Sequence, residues 1–230
     1  MIERERVTEL NNAPEQSGDY VLYWMQNSQR AEFNPALEVA IADANRLGLP
    51  VIVGFGLTAE YPEANARHYA FMLEGLAETA HALRQRGLGF AIRLGNPDDV
   101  ALSLAERAAL VVCDRGYLRP QRKWRARVAA EAGRRVLQVE GDLVVPVELV
   151  SIKPEVGART LRPKLLRVRD QFLAPASPSA AQSLRRAHQG RRERRPQRHP
   201  RADCATRRRS QCITGRQYPG WVQRGKAAPR

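Results

Sequence analysis

Residues able to do chemistry are sparse in this 230-residue chain, and one short loop holds the best group of them. Met25-Gln26-Asn27-Ser28-Gln29-Arg30 follows the apolar run Tyr20-Val21-Leu22-Tyr23-Trp24. Amides, a hydroxyl and a guanidinium at the end of a strand suit a heteroaromatic ligand or a contact with another domain. The plain alternative is loop polarity with helix capping. A second group, Gly54-Phe55-Gly56-Leu57-Thr58-Ala59, has the spacing G-x-G-x-x-A directly after a strand. That pattern cradles pyrophosphate when a helix starts at once and turns its amides to the anion. Here it follows the second strand, and Pro62 breaks the helix it needs, so it is weak ground for dinucleotide binding.

Other chemistry is thinner still. His68, His81, His188 and His199 form no H-x-x-x-H pair, and Cys204 and Cys212 form no C-x-x-C, so no zinc site is expected. Cys113 in an apolar strand reads as a small core residue. No P-loop, nucleophile elbow or paired-carboxylate motif is present. Arg119, Arg122, Lys123, Arg125 and Arg127 surround Trp124 and Val128 in a helical stretch. They could meet phosphates, but such a run is more often a solvated helix face.

These groups must be carried by a scaffold, and the apolar pattern names it. Strands are expected at Tyr20–Trp24, Val51–Phe55, Phe90–Arg93, Leu110–Cys113 and Val136–Val139. Their apolar character is continuous rather than alternating, which means burial on both faces, as in a parallel sheet. Helices lie between them. Asn34 can cap one, with Pro35 at its first position, and Gly48 and Pro50 end it. The next carries Tyr69, Met72, Leu73, Leu76, Ala80 and Leu83 and stops at Gly87. A third opens at Asn96-Pro97-Asp98-Asp99, and a fourth follows Pro120 and ends near Gly133. The order predicts an α/β domain, a doubly wound, mainly parallel five-stranded sheet with ligands at the carboxyl ends of its strands.

Charge divides the chain. The net charge is +14, yet residues 175–230 hold 15 basic against 2 acidic side chains, which leaves the body near neutrality. That tail has too few large apolar residues to offset its ordering entropy, so it is expected to be disordered. Weak, salt-sensitive binding of DNA or RNA would follow from it. No run approaches the ~18 apolar residues of a membrane span, the charged start is no secretory signal, and three scattered Cys make no disulfide framework. A cytoplasmic protein without membrane contact is the expectation.

At the first loop a family resemblance enters. Tyr20 through Arg30, followed by Asn34-Pro35-Ala36-Leu37, closely resembles the amino-terminal domain of class II cyclobutane pyrimidine dimer DNA photolyases. The likeness continues through Ala64–Leu76, Asp114–Arg119, Gln121–Arg125, Val144–Glu148 and Thr160–Leu165. It implies a Rossmann-like antenna domain that can hold a pigment such as a deazaflavin. In the family a helical domain follows, which binds FAD and the flipped-out dimer of damaged DNA. Excited reduced flavin then donates the electron that splits the cyclobutane ring. On this basis Gln26, Ser28, Arg30, Phe55 and Tyr117 are expected to line the antenna site or the face that docks the helical domain.

The resemblance fades after Leu173. The expected organisation is an N-terminal extension (1–17), the α/β domain (18–173) and a basic tail (174–230), with the helical FAD-binding domain absent and the chain inactive alone. We expect the tail to be an out-of-frame translation of the family's own gene, because G+C-rich codons read in a shifted frame yield Arg, Ala, Pro and Gly. Back-translating Gly220–Lys226 and reading one nucleotide later permits Gly-Gly-Ser-Ser-Glu-Ala, which resembles the start of the helical domain. A genuine basic tail is the rival. Two other functions remain open: a stand-alone module for a flavin-like or nucleotide ligand, and a nucleic-acid binder working through the tail.

Overall fold

The computed structural model describes residues 2–173 and 178–181. Twelve regular elements build an α/β domain: β1 (Val7–Glu9), β2 (Tyr20–Trp24), α1 (Pro35–Leu47), β3 (Val51–Leu57), α2 (Ala66–Gln85), β4 (Gly89–Leu94), α3 (Pro97–Ala105), β5 (Ala108–Asp114), α4 (Arg119–Glu131), β6 (Val136–Val139), α5 (Val147–Val150) and α6 (Ala158–Arg169). The sheet order is β1-β6-β5-β2-β3-β4. β2 through β6 run parallel, and β1 pairs antiparallel with β6, Val7 opposite Val139. Among the described residues no helix is long and apolar enough to cross a membrane.

The apolar runs explain the layering. Every residue of β5 is buried, as a strand covered on both faces must be. On one face Val21, Tyr23, Val53, Leu110 and Val112 pack under α1 and α2 through Leu37, Ile41, Leu76 and Leu83. On the other, Leu22, Trp24, Val111 and Cys113 meet α3 and α4 through Ala101, Leu104 and Val128. Each such side chain withdrawn from water contributes about 1.5–3 kcal/mol. α1 begins as its sequence requires: the Asn34 side chain accepts the Leu37 N–H at 3.1 Å, and Gly48 ends the helix at φ 69°.

Two expectations need correction. The sheet has six strands, not five, because residues 7–9 of the expected extension form β1. Its anchor is Arg6, which is buried. The guanidinium donates to the carbonyls of Glu140, Leu143 and Val144 at 3.2, 2.9 and 2.7 Å, and lies 5.1 Å from the centre of the Phe172 ring. Three polar-leaning residues on a sheet edge carry no apolar period, so the strand is silent in sequence. The expected disorder from 174 onward also fails at 178–181. There the Ser179 N–H donates to Glu38 at 2.6 Å, and its carbonyl accepts from Arg86 at 3.1 Å. The rest of the tail reading, the shifted frame included, lies outside the described residues.

Gly54 and Gly56 have a packing reason. A Cβ on Gly56 would sit 2.6 Å from the Pro97 Cα, and one on Gly54 2.6 Å from a Leu104 methyl. These glycines let α3 lie against β3, and the following helix α2 starts only at Ala66. Gly56→Ala is therefore expected to destabilise the domain by about 1–3 kcal/mol, since backbone must move to admit the methyl. Gly75→Ala, on α2 with open space around it, should stabilise by about 0.5–1 kcal/mol. Urea unfolding midpoints of the two variants check both signs.

Candidate functional site

The carboxyl end of β2 is shaped by one carboxylate from the neighbouring strand. Asp114, the last residue of β5, is buried and accepts four hydrogen bonds. They come from the Tyr23 hydroxyl (2.8 Å) and the backbone N–H groups of Gln26 (2.9 Å), Asn27 (2.9 Å) and Ser28 (3.2 Å). Burial pushes the Asp114 carboxyl above its usual range, and these donors pull it back. Burial, followed by the charge of Asp114, raises the Tyr23 phenol well above its ordinary value. Asn34 locks the same loop from the other side. Its amide donates to the Tyr23 hydroxyl and to the carbonyls of Ser28 and Arg30, while its oxygen caps α1.

With the backbone held, the loop side chains divide. Ser28 Oγ donates to Asp142 at 3.0 Å, and Asn27 reaches Asp142 at 2.7 Å and accepts from Gln121. Arg30 is exposed and donates to its neighbour carbonyl on Phe33 at 3.1 Å. Gln26 differs from all of these: both its amide atoms are buried and neither has a hydrogen-bond partner. A buried polar pair left unmade is costly unless a ligand or water completes it.

Gln26 borders a cleft of about 280 Å³ at the carboxyl edge of the sheet, just below the usual range for small-molecule sites. Its walls are largely apolar, with Phe55, Leu57, Tyr61, Tyr69, Met72 and Trp124 prominent. Tyr61 and Trp124 meet with ring centres 6.3 Å apart and planes tilted by 57°. The Tyr69 hydroxyl donates to the Thr58 carbonyl at 2.9 Å, which ties α2 to the loop after β3. His68 Nδ1 accepts the Asn65 N–H at 3.2 Å and caps that helix. Aromatic rings and an unpartnered amide lie along one lining, a combination that suits a planar heteroaromatic molecule.

Of the five residues expected at a site, the structure brings Gln26 and Phe55 together in this cleft and places Ser28, Arg30 and Tyr117 outside it. Tyr117 instead donates to Glu140, a residue that also accepts from Arg115 at 3.0 Å. Burial and then Glu140 raise its phenol. Trp124, Tyr61, Tyr69 and Met72 are among the lining residues that the strand-end reading missed. The signal available for Trp124 was an aromatic amid the basic run of α4. Cys113, fully buried, has its thiol pushed up to about 12, which fits the inert core role expected of it. Among the described residues no group of three His, Cys, Asp or Glu could hold a metal ion.

Fold and cleft together define a doubly wound α/β domain with a cleft at the carboxyl ends of its strands, the place where such folds bind ligands. The family is narrower. Residues 21–182 match the family model described as DNA photolyase, and the chain belongs to that family. It is 44% identical over 176 residues to a deoxyribodipyrimidine photo-lyase of Methanothermobacter thermautotrophicus, covering 76% of this chain and 40% of that protein. The photo-lyase of Potorous tridactylus is 34% identical over 63% of this chain and 28% of its own length. This chain therefore spans well under half of each. Among solved structures, a bacterial class III photolyase from Agrobacterium tumefaciens superposes with a TM-score of 0.56 at 21% identity, over 71% of this chain and 34% of that one. It shares the fold.

Asp114→Asn is expected to unfold the loop first. All three N–H groups share one carboxylate oxygen, which the amide oxygen can replace, but the amide NH2 then faces the Tyr23 hydroxyl, whose proton loses its acceptor, and every bond loses its charge assistance. A stability loss of about 2–4 kcal/mol by urea titration is the expected outcome. A loss below about 1 kcal/mol would show that the loop keeps its shape without this carboxylate.

Proposed function

We propose that this chain is the pigment-holding α/β domain of a class II DNA photolyase, the enzyme type that repairs cyclobutane pyrimidine dimers in light. The observation that carries the reading is the unpartnered Gln26 amide, buried on the floor of an aromatic-walled cleft. A deazaflavin has a planar ring with neighbouring donor and acceptor atoms on one edge, which that amide can pair. The family's FAD, when bound, supplies the electron that opens the dimer. The described residues contribute no part of that step; they orient the antenna ring and exclude water from it.

The surface fits a domain built to be covered. Phe33, Phe71, Tyr117, Leu118, Leu143 and Val144 are all exposed large apolar side chains. Each belongs to a segment that follows the carboxyl end of a parallel strand, the side on which the cleft opens. A helical FAD domain seated there would bury them.

Titration of the purified chain with deazariboflavin, followed by fluorescence, tests the reading. Gln26→Leu is expected to weaken binding about tenfold or more, because one donor–acceptor pair is lost in a dry site. Arg30→Ala should leave binding unchanged. Equal affinity of wild type and Gln26→Leu would remove the ring from this cleft.

A further inference from the structure

Part of the charge in the sheet domain is cancelled by ion pairs. Arg46 pairs with Glu15 and Asp43, Arg86 with Glu38, Arg115 with Glu140 and Glu148, and Arg127 with Asp98 and Asp99. Elsewhere cations stand alone: Arg119, Arg122 and Lys123 on α4 are exposed with no acidic partner among the described residues, and helix α6 is the most one-sided in sign. It carries Arg159, Arg162, Lys164, Arg167 and Arg169 and no acidic residue. Glu155 takes Lys164, and Asp170 takes Arg169 at 2.8 Å. Arg159, Arg162 and Arg167 are exposed and have no acidic partner among the described residues.

The helix rests on a small apolar cluster through two partly buried side chains. Leu165 and Val168 pack against Val145, Val150 and Phe172, and Arg6 lies over the Phe172 ring. At 100° per residue, Leu161, Leu165 and Val168 form one stripe, and the three unpaired arginines project outside it. The helix thus presents three unpaired cations to solvent on the side away from that cluster.

We propose that α6 is a contact surface for the phosphate backbone of duplex nucleic acid. Its 12 residues span about 18 Å. Over that length a duplex presents roughly ten phosphate charges, one per ~1.7 Å of axis. The guanidinium fork matches phosphate oxygens in pairs, which a lysine cannot do. A lipid surface fits less well: the outer side of α6 offers Leu166 but no Trp or Phe to enter an acyl layer. The proposal is independent of the pigment reading, since it concerns undamaged duplex and requires no cofactor.

The test compares full-length chains, so that residues 182–230 contribute equally to each. Affinity for a fluorescent undamaged duplex is measured between 50 and 200 mM salt. Replacing Arg159, Arg162 and Arg167 by Ala should lower the slope of log affinity against log salt by about 2–3, close to 0.9 per lost contact. The affinity lost across that salt range then shrinks about 40-fold. Removing the same charge from α4, with Arg119, Arg122 and Lys123 all replaced by Ala, should change the slope by less than about 1. Arg162→Ala alone, expected to lower it by about 1, serves if the triple variant does not fold. An unchanged slope in the α6 variants overturns the proposal, as do equal changes in the α6 and α4 variants, which would report net charge only. It is also overturned if the α6 arginines govern binding to phosphatidylserine vesicles and leave the DNA slope intact.

Discussion

A buried carboxylate at the end of β5 sets the shape of the loop after β2 and of the cleft beside it. Asp114 gathers a phenol and three consecutive backbone N–H groups, so the chain leaving β2 turns in one way only. That turn buries Gln26 under the cleft and sends Asn27 and Ser28 toward Asp142. The four hydrogen bonds are formed inside the fold, where a charge-assisted bond is stronger than in water and a missing partner is correspondingly expensive. Asn34 joins the same network and caps α1 with its remaining oxygen, so the loop and the first turn of the helix share one side chain. The cleft is an extension of how the sheet ends rather than an addition to its surface.

Much of this architecture was legible in the residues. Continuous apolar runs such as Leu110–Cys113 have one stable home, a strand covered on both faces, and all five long strands stand where those runs lie. Asn34-Pro35 and Gly48 punctuate α1 as their chemistry demands. What failed to show was whatever depends on distant partners. β1 exists because Arg6 finds carbonyls more than 130 residues away, and nothing local in Val7-Thr8-Glu9 announces it. Residues 178–181 hold to α1 through backbone atoms, whose bonding leaves no compositional trace.

The cleft was legible only in part. Position along the sheet pointed to the loop after β2 and to Phe55, because ligand sites in such folds follow from topology. Which side chains of that loop turn inward does not follow from topology. Ser28 and Arg30 have the right chemistry, yet Asp142 and the Phe33 carbonyl claim them. Tyr61 and Trp124 form the aromatic wall only because the segment after β3 and the helix α4 close on each other in space. The pair Gly54 and Gly56 looked like a phosphate motif and proved to be clearance for α3, a reminder that glycine spacing reports backbone proximity before it reports ligands.

The pairing of β1 with β6 has a consequence for the order in which this domain is made. The first strand to leave the ribosome has the last strand as its neighbour in the sheet, and its anchor Arg6 waits for carbonyls at 140, 143 and 144. Contacts of such long sequence separation carry a large loop-closure cost and form late. The parallel core from β2 to β5 can assemble during synthesis while the amino terminus stays unplaced. The edge strand β1 therefore has to wait for synthesis to pass β6 and the loop that Arg6 grips before it can join the sheet.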